Sequence, residues 1–371
     1  MRAYIPASLP PNPPLALDSE HHDLLERANR ALGRLDGMSS LIPDTSLFIY
    51  FYLRKEALLS SQIEGTQSSF SDLLLFESHE TPAVPIEDVQ EVSNYIAAMQ
   101  HGLKRLHGGF PLSLRLIKEM HAMLLAKGRG AGKSPGEFRR TQNWIGGSRP
   151  GNARFVPPPP EQVLPLMSDL EKFLHEHPRR LPLLIKAALV HVQFETIHPF
   201  LDGNGRLGRL LITLLLCSEG ALTEPILYLS LYLKTHRNDY YEHLQRVRTD
   251  GDWEAWVLFF LQGVLDTAEQ ATTSAKAVLQ LLERDREKIE QLGRASGSAL
   301  RLYEYLQRQP ITSVARAAKK LRVTEPTVRA SLVHLERLKI VRELTGRQRG
   351  KLFVYHKYLD ILDSGTAPLR R

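Results

Sequence analysis

Between His198 and Arg209, twelve positions hold a base, a carboxylate, three glycines, an asparagine and two arginines. The flanking residues, 183–194 and 210–216, are apolar and read as helices. A helix that starts near Gly203 or Asn204 presents free backbone N–H groups and the positive end of its dipole. That is an anion site, and Gly203 and Gly205 let a phosphate come close to the main chain. Arg206 and Arg209, three apart, share a helix face and can reach one oligophosphate. Asp202 is a hard oxygen ligand suited to Mg²⁺ between phosphates. His198 stands before the turn, where a neutral imidazole can take a proton from a hydroxyl. The set points to phosphoryl or nucleotidyl transfer, driven by positioning and charge neutralisation. Each part alone says little: Asp-Gly-Asn-Gly is an ordinary turn signal, and no Gly-Lys-Ser/Thr follows to make a Walker-type loop.

As one string, His198-Pro-Phe-Leu-Asp202-Gly-Asn-Gly-Arg206-Leu-Gly-Arg209 resembles the Fic family signature, His-Pro-Phe-x-Asp/Glu-Gly-Asn-Gly-Arg-x-x-Arg, at every fixed position. Fic proteins are mostly adenylyltransferases that move AMP from ATP to a protein hydroxyl. The resemblance implies an ATP site over Gly203, Asn204, Gly205, Arg206, Leu207, Gly208 and Arg209, Mg²⁺ at Asp202, and His198 as the base. Attack at the α-phosphorus follows from the family alone. It implies further that Tyr240 and Tyr241 wall the nucleotide, with Tyr241 first. A β-hairpin flap over 138–156 would hold the target segment by main-chain pairing. The same site in relatives takes other donors, such as UMP or phosphocholine, and relatives often form homodimers.

A second stretch, Ser60-x-x-x-Glu64-Gly65, ends a helix at Gly65. Glu64 is an awkward residue there, since a carboxylate faces the negative end of the dipole, unless a cation lies opposite. The stretch resembles the Fic inhibitory motif, which implies that Glu64 pairs with Arg209 and leaves ATP in an unproductive pose. In some relatives the same Glu aligns a water for de-AMPylation.

The elements that must position these residues are mostly helices. Helical patterns cover 19–35, a segment capped by Asp44 or Thr45, then 85–106, 113–126, 160–176, 181–196, 252–268 and 272–292. The stretch 181–196 is apolar nearly all round and should be the central buried helix. The basic loop Lys127–Lys133 fails as a P-loop for want of a strand and the right spacing. The start, with Pro6, Pro10, Pro11, Pro13 and Pro14, should be extended.

Net charge is +7, but 16 Lys and Arg face only 6 Asp and Glu from residue 296 onward. Three short helices and two alternating strands there resemble a winged helix. Thr327, Arg329 and His334 would lie on or near its recognition helix, with Arg347, Arg349 and Lys351 on the wing. DNA is one expected partner and protein docking the other. A nucleotide-sensing, DNA-binding regulator is the rival to an enzyme. One cysteine, Cys217, excludes a disulfide framework or a thiolate metal site. No leader-like or membrane-spanning run is present, so the expected compartment is the cytoplasm. The expected fold is mainly α: a regulatory region over 1–105, a Fic-type bundle with a flap over 106–270, a connecting helix over 271–295 and a winged helix over 296–371.

Overall fold

The computed structural model describes residues 3–41, 45–77, 82, 84–175, 181–346 and 350–368. It is mainly helical. Four helices come first: α1 (Ser19–Leu41), α2 (Thr45–Ile63), α3 (Phe70–Glu77) and α4 (Ile86–His107). The central bundle follows with α5 (Leu114–Leu124), α6 (Pro160–His175), α7 (Leu183–Ile197), α8 (Asn204–Ser218), α9 (Ser230–Thr235), α10 (Arg237–Asp250) and α11 (Trp253–Glu290). A C-terminal unit contains α12 (Ser296–Arg308), β1 (Ile311–Ser313), α13 (Val314–Leu321), α14 (Glu325–Arg337), β2 (Arg342–Glu343), β3 (Leu352–Val354) and α15 (His356–Asp363). The Pro43–Asp44 helix start expected for α2 lies outside the described residues.

Helix α7 is buried without a break from Leu184 to Ile197, as its all-round apolar sequence requires. It packs against α6, α8, α10 and α11. Trp256 of α11, fully buried, donates its indole N–H to the Ala188 carbonyl at 2.9 Å. This bond satisfies the one polar atom of the ring and fixes α11 against the middle of α7.

Helix α11 is one element, where two were expected, and the boundary expected at 270 falls inside it. No Gly or Pro interrupts 268–275. The hydroxyls of Thr272 and Thr273 donate to the carbonyls of Ala268 and Glu269 one turn back, so these β-branched residues are accommodated within the helix. Helix α1 lies along α11 and closes the N-terminal unit onto the bundle.

In the C-terminal unit Ser313 caps α13 and Thr324 caps α14, with Pro326 in the first turn of α14. The strands form an antiparallel sheet in the order β1-β3-β2, pairing Ile311 and Arg342 with Val354 from either side. Strand β1 had no sequence signal, because three residues before a capping serine are too short to show alternation. The unit returns to the body through its own end. Tyr355 donates to the buried Asp285 carboxylate of α11 at 3.0 Å, and Tyr358 stands edge-on to Phe51 of α2. Gln62 of α2 donates to the Thr366 carbonyl at 2.7 Å.

The flap is less regular than expected. Between 138 and 156 the described pairing is one antiparallel bridge, Ile145 with Phe155, around a 3-10 turn at Pro150–Asn152. The extended N-terminal segment runs beside it, with the Tyr4 N–H donating to the Val156 carbonyl at 3.0 Å. Cys217 is half-buried, and burial pushes its thiol up to about 12, in keeping with a packing role. Among the described residues no helix is long and apolar enough to cross a membrane.

Trp256→Ala should lower unfolding stability by about 3–5 kcal/mol, the range for emptying a large aromatic site in a core. Denaturant unfolding checks this, and a loss below about 1 kcal/mol would remove α11 from the central packing.

Candidate active site

The turn between α7 and α8 is made by backbone in the left-handed region at both ends. His198 ends α7 at φ 50°, ψ 60°, and Gly203 precedes α8 at φ 78°. A left-handed conformation is unfavourable for a residue other than glycine and persists only if its surroundings hold it. Arg139, itself buried, does much of this. Its Nε donates to the His198 carbonyl and its backbone N–H to the Pro199 carbonyl, both at 2.9 Å, while Nη2 reaches the carbonyls of Pro158 and Ile197. Asn204 closes the turn from the other side: its Oδ1 accepts from the Phe200 N–H and its Nδ2 donates to the Phe200 carbonyl.

His121 of α5 supports the same loop. The Gly136 N–H donates to its Nδ1, so its proton sits on Nε2, which donates to the Asp202 carbonyl at 3.0 Å. Its ring stacks on Phe200 with centroids 3.7 Å apart. Burial brings its pKa down to about 4, so the ring stays neutral. Neither Arg139 nor His121 was marked by spacing in the sequence, since both act through main-chain groups of a distant segment.

On this scaffold the chemistry-bearing groups converge. His198 is half-buried and has its pKa lowered to about 3, by burial first and then by the Arg248 and Arg139 cations. Its imidazole is therefore neutral near pH 7. No side chain caps α8, and the Gly203 N–H donates to Asp202 Oδ1 at 2.6 Å. The first turn of α8 thus keeps the N–H array that suits an anion.

Arg209 is almost fully enclosed. Its Nε donates to Ser60 Oγ at 2.9 Å, and Nη2 donates to the Ser60 carbonyl at 2.9 Å and to Glu64 Oε1 at 2.6 Å. Burial disfavours the cation, and the Glu64 carboxylate, together with Tyr240, Tyr241 and Glu195, more than offsets this. Burial likewise raises the Glu64 carboxyl, yet Arg209 brings it below its ordinary value, with Arg206 and His198 adding to the effect. Glu64 follows the last turn of α2, and Gly65, at φ 104°, lets the chain leave there. The Glu64 carboxylate lies directly over Gly205, where a Cβ would collide with Oε1. The pair spans 145 positions of sequence.

Other expected residues are placed differently. Leu207 is fully buried, and Gly208 packs on His191, Phe194 and Glu195 of α7, so Gly208 builds the helix-to-helix contact. Tyr240 is a core residue whose hydroxyl meets His191 Nε2 at 2.9 Å, whereas Tyr241 remains half-buried beside it. Among the described residues no group of three or more side chains could cage a metal ion. Asp202 alone, about one-third exposed at the mouth of the turn, suits Mg²⁺, which takes one or two carboxylates and completes its shell with phosphate and water.

The residues expected to meet DNA lie far from this turn in sequence. Thr327 shares a hydroxyl contact with the capping Thr324, Arg329 pairs with Glu325, and Lys351 lies 3.5 Å from Glu343. Arg347 and Arg349 lie outside the described residues.

Residues 22–104 match the family model described as Fic/DOC family N-terminal, and residues 111–216 match the one described as Fic/DOC family. The chain belongs to the Fic family. Its relatives include a protein named protein adenylyltransferase Fic from Aedes aegypti, 31% identical over 278 residues, 72% of this chain and 52% of that protein. One of the same name from Drosophila yakuba is 34% identical over 175 residues, 47% of this chain and 32% of that protein. The chain thus spans about half or less of the length of these curated relatives. A Fic family protein from Desulfovibrio desulfuricans G20 shares the fold, with a TM-score of 0.60 at 20% identity, over 92% of this chain and 97% of that one. Fic-1 from C. elegans has a TM-score of 0.51 at 21% identity, over 70% and 73%.

Buried groups around this Fic turn contribute to how stability depends on pH. His121, His191 and His198 titrate at about 4, 3 and 3, against 6.5 for an exposed histidine. An unfolded chain takes up these protons as pH falls below about 6.5 and the folded one does not, so stability falls with acidification. Glu195 works in the opposite sense. Burial raises its carboxyl to about 7 from 4.5 despite Arg209, so the folded chain binds this proton first and gains stability as pH falls across that window. The melting temperature should therefore fall between about pH 7 and about pH 5, and more steeply in Glu195→Gln. A melting temperature that rises on acidification would contradict this assignment.

Proposed function

We propose that this protein is an adenylyltransferase that moves AMP from ATP to a Ser, Thr or Tyr hydroxyl of a protein, itself included, and that Glu64 restrains it. The observation that carries this reading is the Glu64 carboxylate bound to Arg209 directly over the uncapped turn at Gly205. A carboxylate held there occupies ground suited to a phosphate, next to a neutral imidazole. The names of the curated relatives support AMP as the transferred group.

In this mechanism the N–H groups at Asn204 and Gly205, beside Gly203, receive the phosphates, and Arg206 and Arg209 neutralise the β- and γ-phosphates. His198 accepts the proton of the attacking hydroxyl. The hydroxyl oxygen bonds to the α-phosphorus, and the bond from that phosphorus to the bridging oxygen breaks to release pyrophosphate. Asp202 would hold Mg²⁺ together with phosphate oxygens, and the ion would supply further charge neutralisation there. While Glu64 keeps Arg209, the γ-phosphate lacks its cation and ATP lies out of line. The irregular flap leaves backbone groups of 138–156 for a target segment, with the Val156 carbonyl already taken by Tyr4.

The C-terminal unit is read as a winged helix, on the helix–strand–helix–helix–hairpin order and the β1-β3-β2 sheet. Its excess of Lys and Arg favours a polyanionic partner such as DNA. Arg329 of α14 and Lys351 before β3 each lie beside a glutamate, which reduces the free positive charge they offer.

Incubation with α-labelled ATP tests the main reading. Glu64→Gly should raise label on protein by about tenfold or more, equivalent to about 1.4 kcal/mol. His198→Ala in that background should abolish it. Label that survives without His198 removes it as the base. Unchanged labelling in Glu64→Gly removes the restraint. Lower transfer with accumulation of AMP-modified protein would make Glu64 a de-AMPylation residue.

A further inference from the structure

We propose that Glu91 is a positioning residue for Arg206, so that the N-terminal helices complete the nucleotide site as well as restrain it. The proposal rests on reading the turn at 203–205 as a triphosphate site. Glu91 lies within α4 and is 3% exposed, as is the side chain of Arg206. Its Oε1 is 3.0 Å from Arg206 Nη1, and its Oε2 is 3.0 Å from Nη2 of Arg129. Arg206 Nη2 lies 3.5 Å from Asp202 Oδ1. The four side chains form one alternating line of charge: Arg129, Glu91, Arg206, Asp202.

Each arginine of the signature therefore faces a carboxylate from the N-terminal helices, but the two contacts differ in kind. Glu64 stands just past a helix end, a third exposed, and lies over Gly205 where an anion would approach. Glu91 is fixed in mid-helix and is not among the nearest neighbours of either Gly203 or Gly205. One blocks the turn and the other stands behind a cation that serves it. Among the described residues Arg206 Nε has no acceptor, and the Nη1 contact with Glu91 is an ion pair without hydrogen-bond alignment. Arg206 thus keeps N–H capacity for phosphate oxygens while Glu91 holds its guanidinium in place. Removal of Glu91 would leave a buried cation with Asp202 as its one remaining ion-pair partner among the described residues, a costly arrangement that favours displacement of the side chain.

Glu91 also anchors the basic glycine-rich loop. Arg129 ties that loop to Glu91, and Asn94 of α4 donates to the Lys127 carbonyl at 2.8 Å. Gly130, at φ 94°, comes so close to Asp202 that a Cβ would sit 2.7 Å from Oδ2. The loop, Arg206 and Asp202 are thereby registered to one another through α4. Substitution of the two glutamates should have opposite consequences: loss of Glu64 frees the site, and loss of Glu91 impairs it.

A double-mutant cycle in the Glu64→Gly protein tests this, with Glu91→Ala, Glu91→Gln and Arg206→Ala read by ATP equilibrium binding and by the KM and kcat of AMP transfer. Glu91→Ala should weaken ATP binding by about tenfold with Arg206 present and by less than about twofold in Arg206→Ala. Glu91→Gln, which keeps the size of the side chain but removes its charge, should show the same Arg206-dependent loss, and it carries the cycle if the alanine variant does not fold. Equal losses in both backgrounds would overturn the proposal in favour of plain support of the fold. Tighter binding in Glu91→Ala would overturn it in favour of a second restraint. Absence of transfer in every variant would refute the transferase reading, while the binding cycle would still decide the role of Glu91.

Discussion

A guanidinium enclosed with almost no contact with water must be matched by oxygen atoms, and for Arg209 three of these are provided by two residues, Ser60 and Glu64. The rest of the site follows from that requirement. An unpaired cation in this setting is strongly unfavourable, so Arg209 has to be held by something at all times. In the proposed cycle the choice lies between the Glu64 carboxylate and a phosphate oxygen, and the two cannot occupy the space above Gly205 together. A ligand shifts such an equilibrium only by its difference in affinity for the two states. The balance between restraint and activity is therefore set by how well the end of α2 is fixed. Gln62, two residues before Glu64, is bonded to the Ser68 and Thr366 carbonyls, so the tail of the chain contributes to that fixing.

The turn itself is built to stay still. His198 in a left-handed conformation, with its carbonyl and those of Ile197 and Pro199 bonded to Arg139, cannot relax without breaking several hydrogen bonds. Asn204 and His121 hold the other half through main-chain groups of Phe200 and Asp202. Preorganised donors of this kind need no rearrangement when charge develops. Glu64, the flap and the glycine-rich loop reach this turn from outside it.

Much of this was legible in the sequence. The string from His198 to Arg209 carried the turn, the helix start at Asn204 and the cations within twelve consecutive residues, because local spacing is enough to specify them. Glu64 was legible too, through its awkward place at the end of a helix. Arg139, His121 and Glu91 were not, since each acts across a long gap by bonding backbone or a buried partner, and neither leaves a periodic trace. The packing of Gly208 on α7 was not legible either, because inclusion in the string says nothing of which side of α8 a residue occupies. The break expected near residue 270 failed because three polar residues in a row need not end a helix when threonine hydroxyls can bond one turn back.

The most direct test is a crystal structure of Glu64→Gly with a non-hydrolysable ATP analogue and Mg²⁺. The γ-phosphate should lie beside the Arg209 guanidinium, above Gly205, with the α-phosphorus facing His198. A nucleotide bound elsewhere, or phosphates that leave Arg209 bonded to Ser60 alone, would contradict it.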